Sequence, residues 1–344
     1  MTGRVGIKDV ARQAGVSVGT VSNVINNPAL VTEETLIRVR AAIEQLGYVR
    51  SESARQLRAG QSRIVAMLVL DLANPFFAEA AKGAERALRE ADLGVMVCNS
   101  AGSASEESEY LALFAEHRVR GVLVTPADAG SRTVETLRSQ GLPFVLVDRA
   151  LPAGEGCSVS VDDVLGGTLA VRHLVDRGHR HIAFVGGPGD LPQVRDRFTG
   201  ARDAAREAGL PDDALVTVEA ERLDVSAGCD AGARLLGMSP RPSAAFCAND
   251  LLALGVLQAL FAAGVRAPED IALVGYDDIE FAAAAAVPLT SVRQPAARIG
   301  RTAAELLLAE SHGDPATHTH QRIVLQPELV VRTSSRTPAR PHAL

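Results

Sequence analysis

The sequence predicts a small all-α head followed by a two-lobed α/β domain, and three observations carry that prediction. Within residues 1–50, apolar residues recur at helical spacing in three short stretches. From Arg63 onward, short continuous apolar runs alternate with amphipathic stretches, the signature of strands covered on both faces by helices. Charge divides at the same place. Residues 1–63 hold nine Lys/Arg against five Asp/Glu, a balance of +4, while the 344-residue chain carries −6 overall, which leaves −10 for the remainder. A basic head on an acidic body suits phosphate contacts made by the head alone.

Composition narrows the class further. Apolar residues at 47% and charged residues at 22% describe a folded protein with a substantial core. The first residues, interrupted by Lys8, Asp9 and Arg12, do not read as a signal peptide, and no later run is long and uncharged enough to span a bilayer. Cys98, Cys157, Cys229 and Cys247 are scattered without CxxC spacing, which predicts reduced, packed thiols in a cytoplasmic protein.

The head opens with IKDVARQAGVSVGTVSNVIN. Ile7, Val10, Ala11 and Ala14 stripe a first helix, Gly15 breaks it, and Ser17 caps a second helix with Val18, Val21, Val24 and Ile25 as its apolar residues. Two short helices joined by a tight glycine turn form a helix-turn-helix, whose second member can enter the DNA major groove; an ordinary helical hairpin capping a larger fold has the same spacing. A third helix is predicted from Thr32, as cap, to Leu46, with Leu36, Val39 and Ile43 on its buried stripe and Gly47 as its stop. Residues 50–60 are polar, with helical propensity but too few residues to form a stable helix alone.

In the body, apolar strands are predicted at 64–70, 95–98, 121–125, 144–147, 182–186, 244–247 and 271–274, with helices between them. Roughly ten strands are too many for one open sheet, so the chain is expected to cross to a second lobe near 158–162 and return near 289–294. The polar stretch 333–344 reads as a frayed tail.

Ligands of open parallel sheets bind beyond the carboxyl ends of the strands. That rule singles out Asn74, Phe76 and Phe77, then Asp148 and Arg149, Arg197, Asn249 and Asp250, Tyr276 to Asp278, and Gln294. Carboxylates, amides and guanidinium groups beside aromatic faces suit a polyhydroxylated ligand, because hydroxyls both donate and accept. Taken singly, each of these residues is better explained as a helix cap or a surface ion pair; their repeated placement at strand ends carries the signal. Enzymatic readings find less support: GxGxxG, GxSxG and HExxH are all missing, so no catalytic residue and no cofactor are expected. His318 and His320 lie in a polar stretch without a nearby acidic or thiol partner in sequence; a solvated loop and no metal site are predicted there.

Several segments in order then carry a resemblance: the opening IKDVARQAGVSVGTVSNVIN, VTEETLIRVRAAIEQLGY, ARQLRAGQS, NPFF, VDR, RGHRHIAFVGGP, RFTGARDA, ANDLLALGVLQAL, VGYDDIEFA and LTSVRQP. Together they are similar to LacI/GalR-family transcriptional regulators over almost the whole chain. The resemblance implies an all-α helix-turn-helix headpiece (1–49), a hinge helix (50–60) and an α/β two-lobed, periplasmic-binding-protein-like (type I) effector domain (61–334). Its N-lobe would comprise 61–161 and 291–322, its C-lobe 162–290 and 323–334, with 335–344 as tail. Ser17, Thr20 and Ser22 would anchor phosphates while Val18, Gly19 and Asn23 face base edges. Leu57 would wedge into the minor groove, with Ala54 packing on its twin and Arg55 and Arg58 on phosphates. In the cleft, Phe76 and Phe77 would stack on a sugar, and Asn74, Asp148, Arg149, Arg197, Asn249, Asp277 and Gln294 would bond its hydroxyls. Leu223 stands where the second lobe usually carries an aromatic ring, which leaves a modified or smaller polyol open beside a ribose-like monosaccharide. The implied protein is a cytoplasmic homodimeric repressor on a near-palindromic double-stranded DNA operator, released by its effector. Co-repression by a non-sugar ligand is the alternative reading; a solute-binding protein would need a signal peptide in place of the head.

Overall fold

The computed structural model describes residues 5–49, 62–127, 131–152, 154–189, 191–312 and 318–336. The chain divides into two compact units, 1–62 and 63–344.

In the first unit, α1 (Ile7–Ala14), α2 (Val18–Asn26) and α3 (Glu33–Leu46) share a small core of Val10, Ala11, Ala14, Val21, Val24, Leu36, Val39 and Ala42. Ile7, Val16, Ile25, Ile43 and Tyr48 close its rim. The turn works because Gly15 sits at φ 63°, a left-handed conformation that costs glycine little, while its N–H bonds back to α1. Ser17 then caps α2, its Oγ accepting from Thr20 N at 3.0 Å. Thr32 stands at the start of α3 without making a side-chain cap; its hydroxyl donates to Thr35 Oγ1 instead.

The second unit contains two six-stranded sheets. The first comprises β1 (Ile64–Val69), β2 (Gly94–Asn99), β3 (Gly121–Val124), β4 (Phe144–Val147), β5 (Cys157–Val161) and β11 (Arg322–Leu325), in the order β11-β5-β4-β3-β1-β2. The second comprises β6 (Ile182–Gly186), β7 (Leu215–Glu219), β8 (Ala244–Cys247), β9 (Ala272–Asp277), β10 (Thr290–Arg293) and β12 (Glu328–Val330), in the order β12-β10-β9-β8-β6-β7. All neighbours are parallel except the antiparallel edge pair β10–β12. Helices α4 (Pro75–Glu90), α5 (Ala104–Glu116), α6 (Ser131–Ser139) and α12 (Ala296–His312) belong to the first lobe. Helices α7 (Asp163–Asp176), α8 (Pro192–Glu207), α9 (Val225–Leu236), α10 (Asp250–Ala262) and α11 (Glu280–Ala284) belong to the second. The apolar runs are buried as expected: Val65 to Val69 and Ala244 to Ala248 have no exposed surface.

The chain therefore crosses between lobes three times, after Val161, Arg293 and Leu325. Pairing places β10 in the second sheet and β11 in the first, so the crossings fall a few residues later than the 291 and 322 boundaries read from sequence. The frayed tail needs a further correction, because Thr333–Ser335 form a single 3-10 turn locked into the second lobe. Ser334 Oγ donates to Leu273 O at 2.6 Å, and Ser335 Oγ bonds Thr290 Oγ1 at 2.6 Å and His173 Nε2 at 2.8 Å. Small hydroxyls read as solvated from composition alone, but here they satisfy backbone and side-chain groups of β9, β10 and α7.

Candidate functional site

Two surfaces collect the residues singled out in the sequence. On the headpiece, Ser17, Val18, Gly19 and Asn23 are exposed, whereas Thr20 and Ser22 are half-buried. Val18 is the one α2 valine left outside the core, at 41% exposure. Gly19 has an ordinary helical backbone, and a Cβ there would meet only Ser17 Oγ at 3.6 Å, so the fold does not demand glycine. The hinge residues Ala54, Arg55, Leu57 and Arg58 lie outside the described residues.

The second surface is a cavity of about 490 Å³ between the lobes, at the carboxyl ends of the strands. Asn74, Phe76, Phe77, Asp148, Arg197, Leu223, Asn249, Asp277 and Gln294 all line it. Arg149 does not: it is half-buried beside Asp148, and its charge acts on Asp196 of the second lobe. Asp148, just past the end of β4, takes the inward position.

Phe76 and Phe77 open α4 as an edge-to-face pair with centroids 5.1 Å apart, held by Pro75 at the first helical turn and by Asn74, whose Oδ1 accepts from Phe76 N at 3.0 Å. Asn74 uses its other end across the cleft, Nδ2 donating to Asp277 Oδ2 at 2.9 Å. Gln294, in the second crossing, donates from Nε2 to Asp277 Oδ1 at 2.7 Å. Asn249 likewise caps α10 through Oδ1 and donates from Nδ2 to Leu223 O at 2.9 Å. The cap role and the cleft role coexist in the same side chains.

Asp148 and Asp277 both sit at positive φ, 58° and 101°, which turns the chain sharply at the end of β4 and β9. Asp278 follows at 55° and turns away to pair with Arg293 and Arg332 at 2.7 and 2.6 Å. The two adjacent carboxyls thus diverge through left-handed backbone rather than through strand alternation.

Arg197 is the hub of the second lobe. Only 4% exposed, it donates from Nε to Asp163 Oδ1 at 2.8 Å and from an Nη to Ala248 O at 2.7 Å, with its guanidinium 3.7 Å from the Tyr276 ring centre. Tyr276 OH donates to the same Asp163 oxygen at 2.9 Å. Close helix packing fixes this array: a Cβ at Gly167 would lie 1.9 Å from Arg197 O, and one at Gly166 would lie 2.3 Å from Tyr276 OH.

Sequence reasoning missed Asp163 and Gln193. Both lie in the first turn of a helix rather than beyond a strand, where an acidic or amide residue reads as a dipole partner. Gln193 bridges the lobes, its Nε2 donating to Asp148 O at 3.0 Å and Oδ2 at 3.1 Å.

Burial of so many carboxyls has an electrostatic consequence. Asp148 is pushed up to about 7, first by burial and then by the negative charge of Asp163 and Asp277, with Arg197 and the Gln193 hydrogen bond opposing. Burial also raises Asp277, against Arg197 and the amides of Asn74 and Gln294, while Asp163 adds to the rise. Arg197 is held still more firmly protonated than usual, because Asp163, Tyr276, Asp277 and Asp148 outweigh its own desolvation. Asp148 Oδ1 and Gln294 Oε1 are buried acceptors with no donor among the described residues.

One expectation is overturned. His318 and His320 are not in an isolated polar loop, because the β5–β11 pairing brings Cys157 to them, with Sγ 3.2 Å from His318 Nε2 and 3.8 Å from His320 Nδ1. The thiol is 161 residues distant in sequence, which hid the partnership.

Comparison with known proteins identifies the family of each part. Residues 6–51 match the family described as bacterial regulatory proteins, lacI family, and residues 171–335 match a periplasmic binding protein-like domain. The chain is 38% identical over 332 residues to the ribose operon repressor of Escherichia coli (strain K12), covering 96% of this chain and 99% of that protein. It is 35% identical over 329 residues to the HTH-type transcriptional repressor PurR of Photobacterium profundum, covering 95% and 98%. A crystal structure of a LacI family transcriptional regulator from Enterococcus faecium with bound ribose superposes with a TM-score of 0.72 at 30% identity, covering 79% of this chain and 98% of that one. Among the described residues, no helix is long and apolar enough to cross a membrane. With a helix-turn-helix head, a two-lobed ligand-binding body and relatives matched nearly end to end, the chain belongs to the LacI family of bacterial transcriptional regulators.

Proposed function

We propose that this protein is a cytoplasmic, homodimeric transcriptional repressor that binds a near-palindromic operator and is released by a neutral polyhydroxylated effector, with a ribose-like monosaccharide as the favoured class. The observation that carries the effector class is that Asp148 Oδ1 and Gln294 Oε1, buried without a hydrogen-bond partner among the described residues, belong to residues lining the same cavity as Phe76 and Phe77. Hydroxyl groups both donate and accept, so they can meet Gln294 Oε1 and either protonation state of Asp148, and aromatic faces cover the C–H surface of a sugar ring.

Charge argues against an anionic effector. Five carboxyls (Asp71, Asp148, Glu221, Asp224 and Asp277) line the cavity against Arg197 and Arg222, and both arginines are already paired, with Asp163 and Asp224. A phosphate entering there would meet net repulsion. Leu223 gives the second lobe an aliphatic wall; a Cβ at Gly187 would come within 2.4 Å of it, so glycine leaves room for the side chain.

On the headpiece, the exposed Ser17, Val18, Gly19 and Asn23 form the reading edge, with Thr20 and Ser22 beside them. The regulator role is non-enzymatic: effector and operator communicate only through differential affinity for two dimer arrangements. A thermal-shift screen of the full-length protein against pentoses, hexoses, polyols and nucleobases tests the effector class. Stabilisation by one or more pentoses supports it; stabilisation by a nucleobase alone refutes it.

A further inference from the structure

We propose that Cys157, Glu310, His318 and His320 bind one divalent transition-metal ion of the Zn²⁺ class, in a structural site that ties the end of α12 to strands β5 and β11. The four side chains come from three parts of the first lobe. Cys157 is the first residue of β5, Glu310 lies in the last turn of α12, and His318 and His320 precede β11. Backbone pairing sets their meeting: Ser158 N donates to Gln321 O at 2.9 Å, and Gln321 N reaches Cys157 Sγ at 3.5 Å. Two residues apart on an extended segment, the histidines present their rings to the same side. Their centroids are 5.2 Å apart.

One candidate ligand atom from each side chain lies within 4.8 Å of all the others. Tetrahedral Zn²⁺ with a thiolate at about 2.3 Å and imidazoles at about 2.0 Å requires sulfur–nitrogen separations of about 3.6 Å. The observed 3.2 and 3.8 Å bracket that value. Cys157 and the two imidazoles can share hydrogen bonds in one tautomer set, but Glu310 Oε2 is buried without a hydrogen-bond partner among the described residues. A metal ion would give that oxygen a partner and engage the other three donors at once; on binding, the Cys157 thiol proton, and that of Glu310 where present, passes to solvent. A thiolate, two imidazoles and one carboxylate select a borderline ion such as Zn²⁺ over Mg²⁺ or Ca²⁺, which prefer oxygen ligands.

Cys157 lies near the start of β5, whereas the effector cleft opens beyond the carboxyl ends of the strands, so the two sites occupy opposite ends of the first sheet. The site anchors β11, from which the chain makes its last crossing between lobes.

The test uses full-length protein prepared without a histidine tag and stripped by chelator, titrated with Co²⁺ and then with Zn²⁺. One ion per chain is expected, with the intense visible absorption of four-coordinate Co²⁺ and a near-ultraviolet thiolate-to-metal band, both displaced by Zn²⁺. Cys157→Ser should abolish the near-ultraviolet band. His318→Ala and Glu310→Gln should each weaken binding at least about a hundredfold, more than loss of an outer-shell partner usually costs. Zn²⁺ should raise the unfolding midpoint of the wild type and not that of His318→Ala. Should Cys157→Ser fail to fold, His320→Ala decides the matter by its loss of the tetrahedral Co²⁺ spectrum. Binding of less than half an ion per chain overturns the proposal, as does a Co²⁺ spectrum left unchanged by His318→Ala and His320→Ala.

Discussion

Replacing Asp148 with Asn should stabilise the α/β domain without ligand while destroying its effector response, and the structure sets the size of the effect. Asp148 moves from an ordinary 3.8 to about 7 on folding. A native state that prefers the protonated acid binds more protons than the unfolded chain between those values, so stability is complete below about pH 4 and falls as pH rises through 7. The full difference corresponds to about 4 kcal/mol at pH 8, an upper figure because Asp163, Asp277 and Arg197 share the field. Asn has the same shape, tolerates the positive φ of 58°, and still offers an acceptor to Gln193 Nε2, but it carries no charge to desolvate. Urea unfolding of wild type and Asp148→Asn between pH 5 and pH 8, followed on the α/β domain, reads the difference directly. An advantage for the variant of about 1–2 kcal/mol at pH 5, growing to about 4 kcal/mol at pH 8, is expected as an upper figure. A variant less stable than wild type at pH 8, or a difference that does not change with pH, would refute the buried-acid reasoning.

Three other substitutions probe separate parts of the account. Arg197→Ala strips Asp163 of its buried partner and should cost about 3–5 kcal/mol of α/β-domain stability, as for other broken buried ion pairs; a loss below about 1 kcal/mol in urea unfolding would show that the pair is not a structural tie. Gly19→Ala should stabilise the headpiece by about 0.5–1 kcal/mol, since its backbone is helical and its Cβ has room, while changing operator preference. A lower headpiece melting temperature would count against the fold having no need of glycine there. Leu57→Ala, placed by resemblance at the hinge, should weaken operator binding at least about tenfold, or 1.4 kcal/mol, and leave sugar affinity by calorimetry unchanged; equal operator affinity would remove the wedge assignment.

Much of the architecture was legible because apolar pattern is a local signal. Ile64 to Val69 and Ala244 to Cys247 read as buried strands and are; Gly15 and Ser17 punctuate the head as their chemistry requires. Strands of mixed composition were harder. Cys157–Val161, Leu215–Glu219 and Thr290–Arg293 mix polar and apolar residues; in β5 and β10 the hydroxyls of Ser158, Thr290 and Ser291 are buried and held by hydrogen bonds that no local pattern announces, while β7 is a sheet edge. In the cleft, the strand-end rule reached Asn74, Asp148, Asn249, Asp277 and Gln294, which the topology places at one cavity. It failed for Asp163 and Gln193, which reach the same array from helix starts, and it admitted Arg149, whose neighbour takes the inward position. Cys157 and His318 were beyond reach for another reason: only the β5–β11 register joins residues so distant in sequence, and no local pattern records it.

The central claim is that a polyol held by Asp277 and its neighbours controls the grip of the headpiece on DNA. Fluorescence anisotropy of a labelled near-palindromic promoter fragment, titrated with wild-type protein and with Asp277→Asn at several salt concentrations, with and without ribose, tests it most directly. Both proteins should bind the fragment with affinity that falls steeply with salt, and ribose should weaken binding by the wild type alone. Absence of sequence-preferring DNA binding, or a ribose response of equal size in both proteins, would contradict it.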